Sequence, residues 1–291
     1  MYSPAIILAA ILTLIPFFTA AFFPNLLTRL TDSLSTAARL LLPVILTVPY
    51  ILVTLSSGNF SLHWLLLYAL LFPAIAALLH QARNIDPTQK GNWRDFLVLI
   101  TLGLSVDLRW FEPAWPPHLS VFNKILLLDA GIYAFLFIRR LDDVGFDLRL
   151  RLRDLFIGLR EFAFYAPIAI ALGIFLGFLH FHAGWPSLLR AIEAFVFTFF
   201  FIAVPEELFF RGWLQNLLER RMGHHAALVT TAVLFGLSHF NKRAPTFNWR
   251  YVVLAAIAGI FYGRAWRQDR RVGSSAITHS FVDTLWSVWF R

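Results

Sequence analysis

Cysteine is absent from all 291 residues. Disulfides, zinc–thiolate centres and thiol nucleophiles are therefore excluded, and the redox state of the compartment is left open. Charge is scarce too: Asp, Glu, Lys and Arg make up 14% of the chain, against roughly 25% in a soluble globular protein. The chain lacks low-complexity tracts, and its longest polar connections, 80–93 and 139–154, are too short for a soluble domain. Repeated halves, common in transporters, are not found. HExxH, GxGD and GxSG are missing, and "GSSA" at 273–276 resembles the last of these only superficially.

What is present is hydrocarbon. Hydrophobic residues fill 58% of the chain, and Phe alone occurs 31 times. Apolar stretches of about 17–25 residues read as spanning helices. Clear candidates are 4–23, 37–56, 61–79, 120–138, 162–179, 187–205 and 273–290; weaker ones are 94–113, 225–240 and 249–266. The first stretch has no cationic lead-in and no small-residue cleavage site, so it reads as a retained helix. The fold class is all-α: a multi-pass integral membrane protein with eight to ten spanning or re-entrant helices, in the plasma membrane if the chain is bacterial.

The net charge of +8 does not point to nucleic acid, because the cations sit in short loops between apolar segments. Reading spans alternately, one side collects Arg29, then Arg83, Lys90 and Arg94, then five arginines within 139–153, and later Arg220, Arg221, Arg267, Arg270 and Arg271. That side is assigned to the cytoplasm. The opposite side carries only Arg109 in 107–118, apart from Lys242, Arg243 and Arg250 in the 240–250 connection.

Against this background the stretch "FIAVPEELFFRGWLQ", 201–215, stands out, since an ionised carboxylate in hydrocarbon is costly and marks a functional site by default. In a regular helix Glu207 and Arg211, four apart, share a face and pair. Glu206 lies about 100° away and is directed elsewhere, toward a cavity. This division makes Glu207 and Arg211 the structural pair and Glu206 the reactive carboxylate. Two further polar clusters follow: "FGLSH", with Phe235 and His239, and "HSFVD", with His279 and Asp283 four apart, so that the carboxylate can orient the imidazole. The only break between Glu206 and His239 is "RRMGHH" around Gly223. Glu206 precedes Met222 by 16 residues and His239 follows it by 17. A helical hairpin thus sets the two at about equal height.

"EELFFR", "FGLSH" and "HSFVD" resemble, in order, the EExxxR, FxxxH and HxxxN/D motifs of the CAAX-protease and bacteriocin-processing (CPBP, or ABI) family of intramembrane proteases, which includes the Ras-converting prenyl endopeptidases. The resemblance covers roughly 160–291. It divides the chain into N-terminal helices of unassigned role, 1–155, and a protease-like core, 156–291. It implies an intramembrane endopeptidase acting on a membrane-associated or lipidated peptide or protein. Glu206 and His239 match the water-activating pair, and His279 with Asp283 matches the oxyanion-binding group. Glu207, Arg211 and Phe235 are supporting residues. Asp283 departs from the asparagine of the prenyl-protein proteases, and an ionised aspartate has no proton to donate to an oxyanion, so it is assigned to orienting His279 or a metal.

Two chemistries stay open. Glu206, His239 and His279 compose a His₂Glu set for a divalent metal such as zinc with an open water position. Alternatively, Glu206 activates water without metal, which the lack of a second histidine near either His239 or His279 favours. The rival reading is a non-catalytic scaffold or immunity protein, or a cation- or proton-coupled transporter, built on the same buried cluster.

Overall fold

The computed structural model describes residues 3–182, 184, 187–244 and 246–290. The chain divides into two compact units, Met1–Asp142 and Asp143–Arg291. Among the described residues there are eleven helices and no β-strand.

The first unit contains α1 (Pro4–Phe22), α2 (Pro24–Asp32), α3 (Thr36–Ser56, with a 3₁₀ stretch at Leu42–Thr47), α4 (Leu62–Ile85), α5 (Trp93–Asp107) and α6 (Val121–Ile138). Its packing inverts the soluble pattern. Along α1 the large Ile7, Leu8, Ile11 and Ile15 face outward, while Ala9, Thr13, Ala20 and Ala21 are buried, with Phe17 the one large side chain among them. This is a bilayer arrangement: lipid accepts isoleucine as readily as a core does, so small residues go where helices must approach. At the end of α6, the fully buried Arg139 bonds Asp95 at 2.8 Å and Asp86 at 2.7 Å.

The second unit contains α7 (Leu152–Phe175), α8 (Leu188–Met222), α9 (His224–Leu237), α10 (Trp249–Asp269) and α11 (Val272–Trp289). α7 starts ten residues before the expected span at 162. Asp154 accepts the backbone N–H of Arg151 at 2.8 Å, closing the helix start. The same carboxylate takes Arg271 and Ser274, each at 2.8 Å. Those partners allow a charged segment to be helical.

Six helices, α1, α3, α4, α6, α7 and α8, are long and apolar enough to cross a bilayer, so the protein is a multi-pass integral membrane protein. The remaining helices are shorter or more polar, and these include the three that carry "FGLSH" and "HSFVD" or lie between them. α8 runs for 35 residues, about 50 Å at 1.5 Å per residue, well beyond the roughly 30 Å hydrocarbon core. It ends at Gly223, whose φ of +77° turns the chain sharply into α9. That is the corner expected at "RRMGHH", because glycine alone takes this backbone region without penalty.

α9 and α10 press together on small residues. A Cβ on Gly236 would meet the Val252 carbonyl at 2.5 Å, and one on Gly259 would meet Ala232 Cα at 2.9 Å. This close approach brings the backbone of α10 within reach of side chains on neighbouring helices. Gly259 O accepts from Arg211 at 3.0 Å, and Leu254 O accepts from Tyr165 at 2.9 Å.

Candidate active site in the second unit

The pair Glu206–Glu207 sits between two widened stretches of α8. Pro205 has no N–H to offer the preceding turn, and π-helical turns flank the pair at Phe199–Ala203 and Leu208–Gln215. Such bulges recur at functional sites.

The two glutamates then diverge. Glu207 is wholly buried and bonded at both oxygens. Its Oε1 accepts from Arg211 Nη1 at 3.2 Å and from His279 Nδ1 at 2.9 Å. Its Oε2 accepts from Ser275 Oγ and lies 3.1 Å from Arg211 Nε. Glu206 keeps 26% of its side chain exposed, with Oε1 3.7 Å from Lys242 Nζ. Its Oε2 is shielded from solvent and has no hydrogen-bond partner; His279 Nε2 stands 4.0 Å from it. One carboxylate is a structural hub and the other is poised.

His279 is held on every side. Because Glu207 accepts from Nδ1–H, the second nitrogen, Nε2, is the one presented to Glu206 and to Asp283 Oδ2 at 3.5 Å. Tyr262 stacks on the ring at 4.6 Å with 15° between planes, and Phe235 meets it edge-on at 5.8 Å. Phe235 also lies 4.9 Å from His239, so it spaces the two imidazoles. His239 stands in the turn just past α9. Its Nδ1 lies 2.8 Å from the Phe235 carbonyl, which can only accept, so Nδ1 carries the proton and Nε2 is the basic nitrogen.

His239, His279 and Asp283 line a cavity of about 70 Å³ whose other walls include Phe162, Tyr165, Phe178, Tyr251 and Trp286. That volume holds several waters, and the walls are mostly aromatic and aliphatic. The cavity therefore offers polar groups at one place and apolar surface elsewhere.

The geometry thus gathers Glu206, Glu207, Arg211, Phe235, His239, His279 and Asp283 into one cluster. It also differs from the expected pairing in one respect. The carboxylate on His279 Nδ1 is Glu207, from another helix, while Asp283 stands at Nε2. Among the described residues no three His, Asp or Glu side chains converge as a ligand set, and Glu206, His239 and His279 do not form one.

Three contributors were not singled out from the sequence. Ser275, dismissed with "GSSA", lies four residues before His279 and so on its face. Tyr262 gave no signal beyond being an aromatic on an apolar helix. Lys242 showed only as an exception to the cation map, and it is that exception that reaches Glu206.

Residues 188–285 match the family described as Type II CAAX prenyl endopeptidase Rce1-like. The match contains all three motifs, and it supports a CAAX-type intramembrane endopeptidase. No curated protein and no solved structure matches the chain.

Proposed function

We propose, on the premise that residues 188–285 are a domain of the type II CAAX prenyl endopeptidase family, that the unit Asp143–Arg291 hydrolyses a peptide bond of a lipidated or membrane-associated substrate with water activated by Glu206. The observation that carries this reading is the division of labour between adjacent glutamates. Glu207 accepts hydrogen bonds at both oxygens, from Arg211 and His279 at Oε1 and from Ser275 at Oε2, whereas Glu206 Oε2 is shielded and unbonded.

In this mechanism a water held between Glu206 and the imidazoles of His239 and His279 gives a proton to Glu206 as its oxygen attacks the scissile carbonyl. His239, with Nδ1–H tied to the Phe235 carbonyl, accepts from the same water through Nε2 and fixes its position. The developing oxyanion takes a hydrogen bond from His279 in its imidazolium form: Glu207 holds Nδ1–H, and Nε2–H remains to donate. Collapse of the intermediate breaks the C–N bond, and Glu206 returns its proton to the leaving amine. Asp283, acceptor-only when ionised, holds His279 from the Nε2 side in the resting protein. The apolar walls built by Phe162, Phe178 and Trp286 suit a lipid chain or an apolar peptide segment.

Glu206→Gln preserves shape and removes the base. The variant should fold and lose activity by roughly 10²-fold or more in kcat, measured as release of the C-terminal fragment from a prenylated reporter peptide in proteoliposomes. Full complementation of a deletion strain by Glu206→Gln would sink the peptidase and leave a membrane scaffold.

A further inference from the structure

Two buried ion pairs of the second unit enclose their arginine. Arg211, on Glu207, is fully buried, and Arg271, shared by Asp154 and Asp147, is only 7% exposed. Around Glu161, on α7, the arrangement is reversed: the carboxylate is wholly buried and meets two arginines. Its Oε1 accepts from Arg160 Nη2 at 2.8 Å and from Nε at 3.2 Å. Its Oε2 stands 3.1 Å from Arg264 Nε on α10, without hydrogen-bond alignment. Both arginine side chains stay partly open, at 33% and 45%, and neither pairs with another acid among the described residues. The trio therefore carries one surplus positive charge.

That charge lies on an outward apolar surface. Phe156, Phe164 and Ile168 are exposed, and Arg160 falls among them at the same four-residue step. Residues four apart share a helix face, and α7 is one of the helices able to cross a bilayer, so this stripe meets lipid. Arg160 precedes the last residue of α7, Phe175, by 15 positions, ~22 Å at 1.5 Å per residue, inside the roughly 30 Å of a hydrocarbon core. An arginine at such a depth extends its head toward the interface, where lipid phosphates lie. Arg264 joins it from α10, five positions before that helix ends at Asp269, with its guanidinium 5.5 Å from the Phe261 ring.

We propose that Arg160 and Arg264, held in place by Glu161, form a binding site for the phosphate of an anionic phospholipid. The buried carboxylate fixes one edge of each guanidinium. Arg160 Nη1 and both Nη atoms of Arg264 are left without a hydrogen-bond partner among the described residues. A guanidinium fork matches phosphate oxygens two at a time. One phosphodiester neutralises the surplus charge, and its acyl chains run along Phe164 and Ile168. A zwitterionic lipid brings its own cation and gains less; inorganic phosphate offers the same oxygens but no chain for the stripe. None of the three charged residues lines the cavity, so the site stands whether or not the cavity is that of a peptidase.

Titration of the full chain in neutral detergent with phosphatidylglycerol and with phosphatidylcholine, read by native mass spectrometry, tests the site. One phosphatidylglycerol should bind about 10- to 30-fold tighter than phosphatidylcholine, the gain expected of two arginines at a membrane surface. Arg160→Gln/Arg264→Gln should remove the preference. That variant leaves Glu161 buried and unpaired, which costs stability, so Arg160→Gln/Glu161→Gln/Arg264→Gln accompanies it; with no charge left, it should lose the preference too. Glu161→Gln alone should tighten phosphatidylglycerol binding further, since both arginines then lack a counter-ion. Arg267→Gln/Arg270→Gln removes equal charge from Glu219, which those arginines meet near the end of α10, and should keep the preference. Equal binding of the two lipids by wild type, unchanged binding in Glu161→Gln, or an equal loss in Arg267→Gln/Arg270→Gln overturns the proposal. Inorganic phosphate that displaces phosphatidylglycerol with comparable affinity would make this a site for soluble anions and overturn the lipid assignment.

Discussion

Replacing Arg211 by methionine tests whether the pair behind His279 holds the second unit together. The guanidinium is fully buried and reaches both oxygens of Glu207, at 3.2 and 3.1 Å, and the Gly259 carbonyl at 3.0 Å. It also lies over the rings of Phe235 at 4.6 Å and Tyr262 at 5.4 Å. Methionine fills much of the volume but leaves Glu207 charged and buried, with only Ser275 and His279 as donors. Breaking a buried pair by removing one partner costs about 3–5 kcal/mol. The orphaned Gly259 carbonyl belongs to the same loss, since a buried group left unbonded costs about 1–3 kcal/mol. We expect a total near 4 kcal/mol, a large share of the 5–15 kcal/mol that usually separates folded from unfolded chains. In Arg211→Met/Glu207→Met no lone charge is left by the pair, so the double variant should cost at least ~2 kcal/mol less than the sum of the single ones. Equilibrium unfolding in mixed micelles, followed by the fluorescence of the ten tryptophans, gives these differences by linear extrapolation. An Arg211→Met protein within about 1 kcal/mol of wild type would refute the assignment of Arg211 as the clamp of this site.

Gly236→Ala should destabilise by about 1–3 kcal/mol, because the new methyl meets the Val252 carbonyl at 2.5 Å and Ala256 Cβ at 2.7 Å; a wild-type unfolding midpoint would show that α9 and α10 do not pack as described. Asp147, in the loop before α7, is pushed up by partial burial, but hydrogen bonds from Arg149 and Arg271 outweigh this and hold its carboxyl down at about 2. Its folded value lies below the ordinary ~3.9, so its stabilising contribution is complete above about pH 4 and is lost as pH falls through about 2. Unfolding measured from pH 5 to pH 2 should show this loss in wild type and a flatter profile in Asp147→Asn. Asp283→Asn replaces an acceptor beside His279 Nε2 by a side chain that also donates, so activity on the reporter peptide should persist or rise without added metal. A fall of 10- to 100-fold that excess zinc reverses would instead identify a metal ligand set.

Much of this protein follows from its one-dimensional chemistry. Scarcity of charge and long apolar runs determine a helical membrane protein, because only helices satisfy their own backbone within lipid. Gly223 between two helical stretches determines the hairpin, and the four-residue spacing of Glu207 and Arg211 determines their pairing, because both depend on neighbours along the chain. The same helical geometry separates Glu206 from Glu207. What it could not supply is the partner of each. Glu207 meets His279 across 72 positions and Ser275 across 68, and Lys242 closes on Glu206 from the loop beyond α9. Intrahelical spacing assigns His279 to Asp283, four residues away. Packing gives its Nδ1 to Glu207 instead, because the small residues of α9 and α10 let the helices approach and the side chains of α8 reach across. Helical register already tells the two adjacent glutamates apart, but only the fold shows Glu207 buried among donors from other helices and Glu206 Oε2 left without a hydrogen-bond partner.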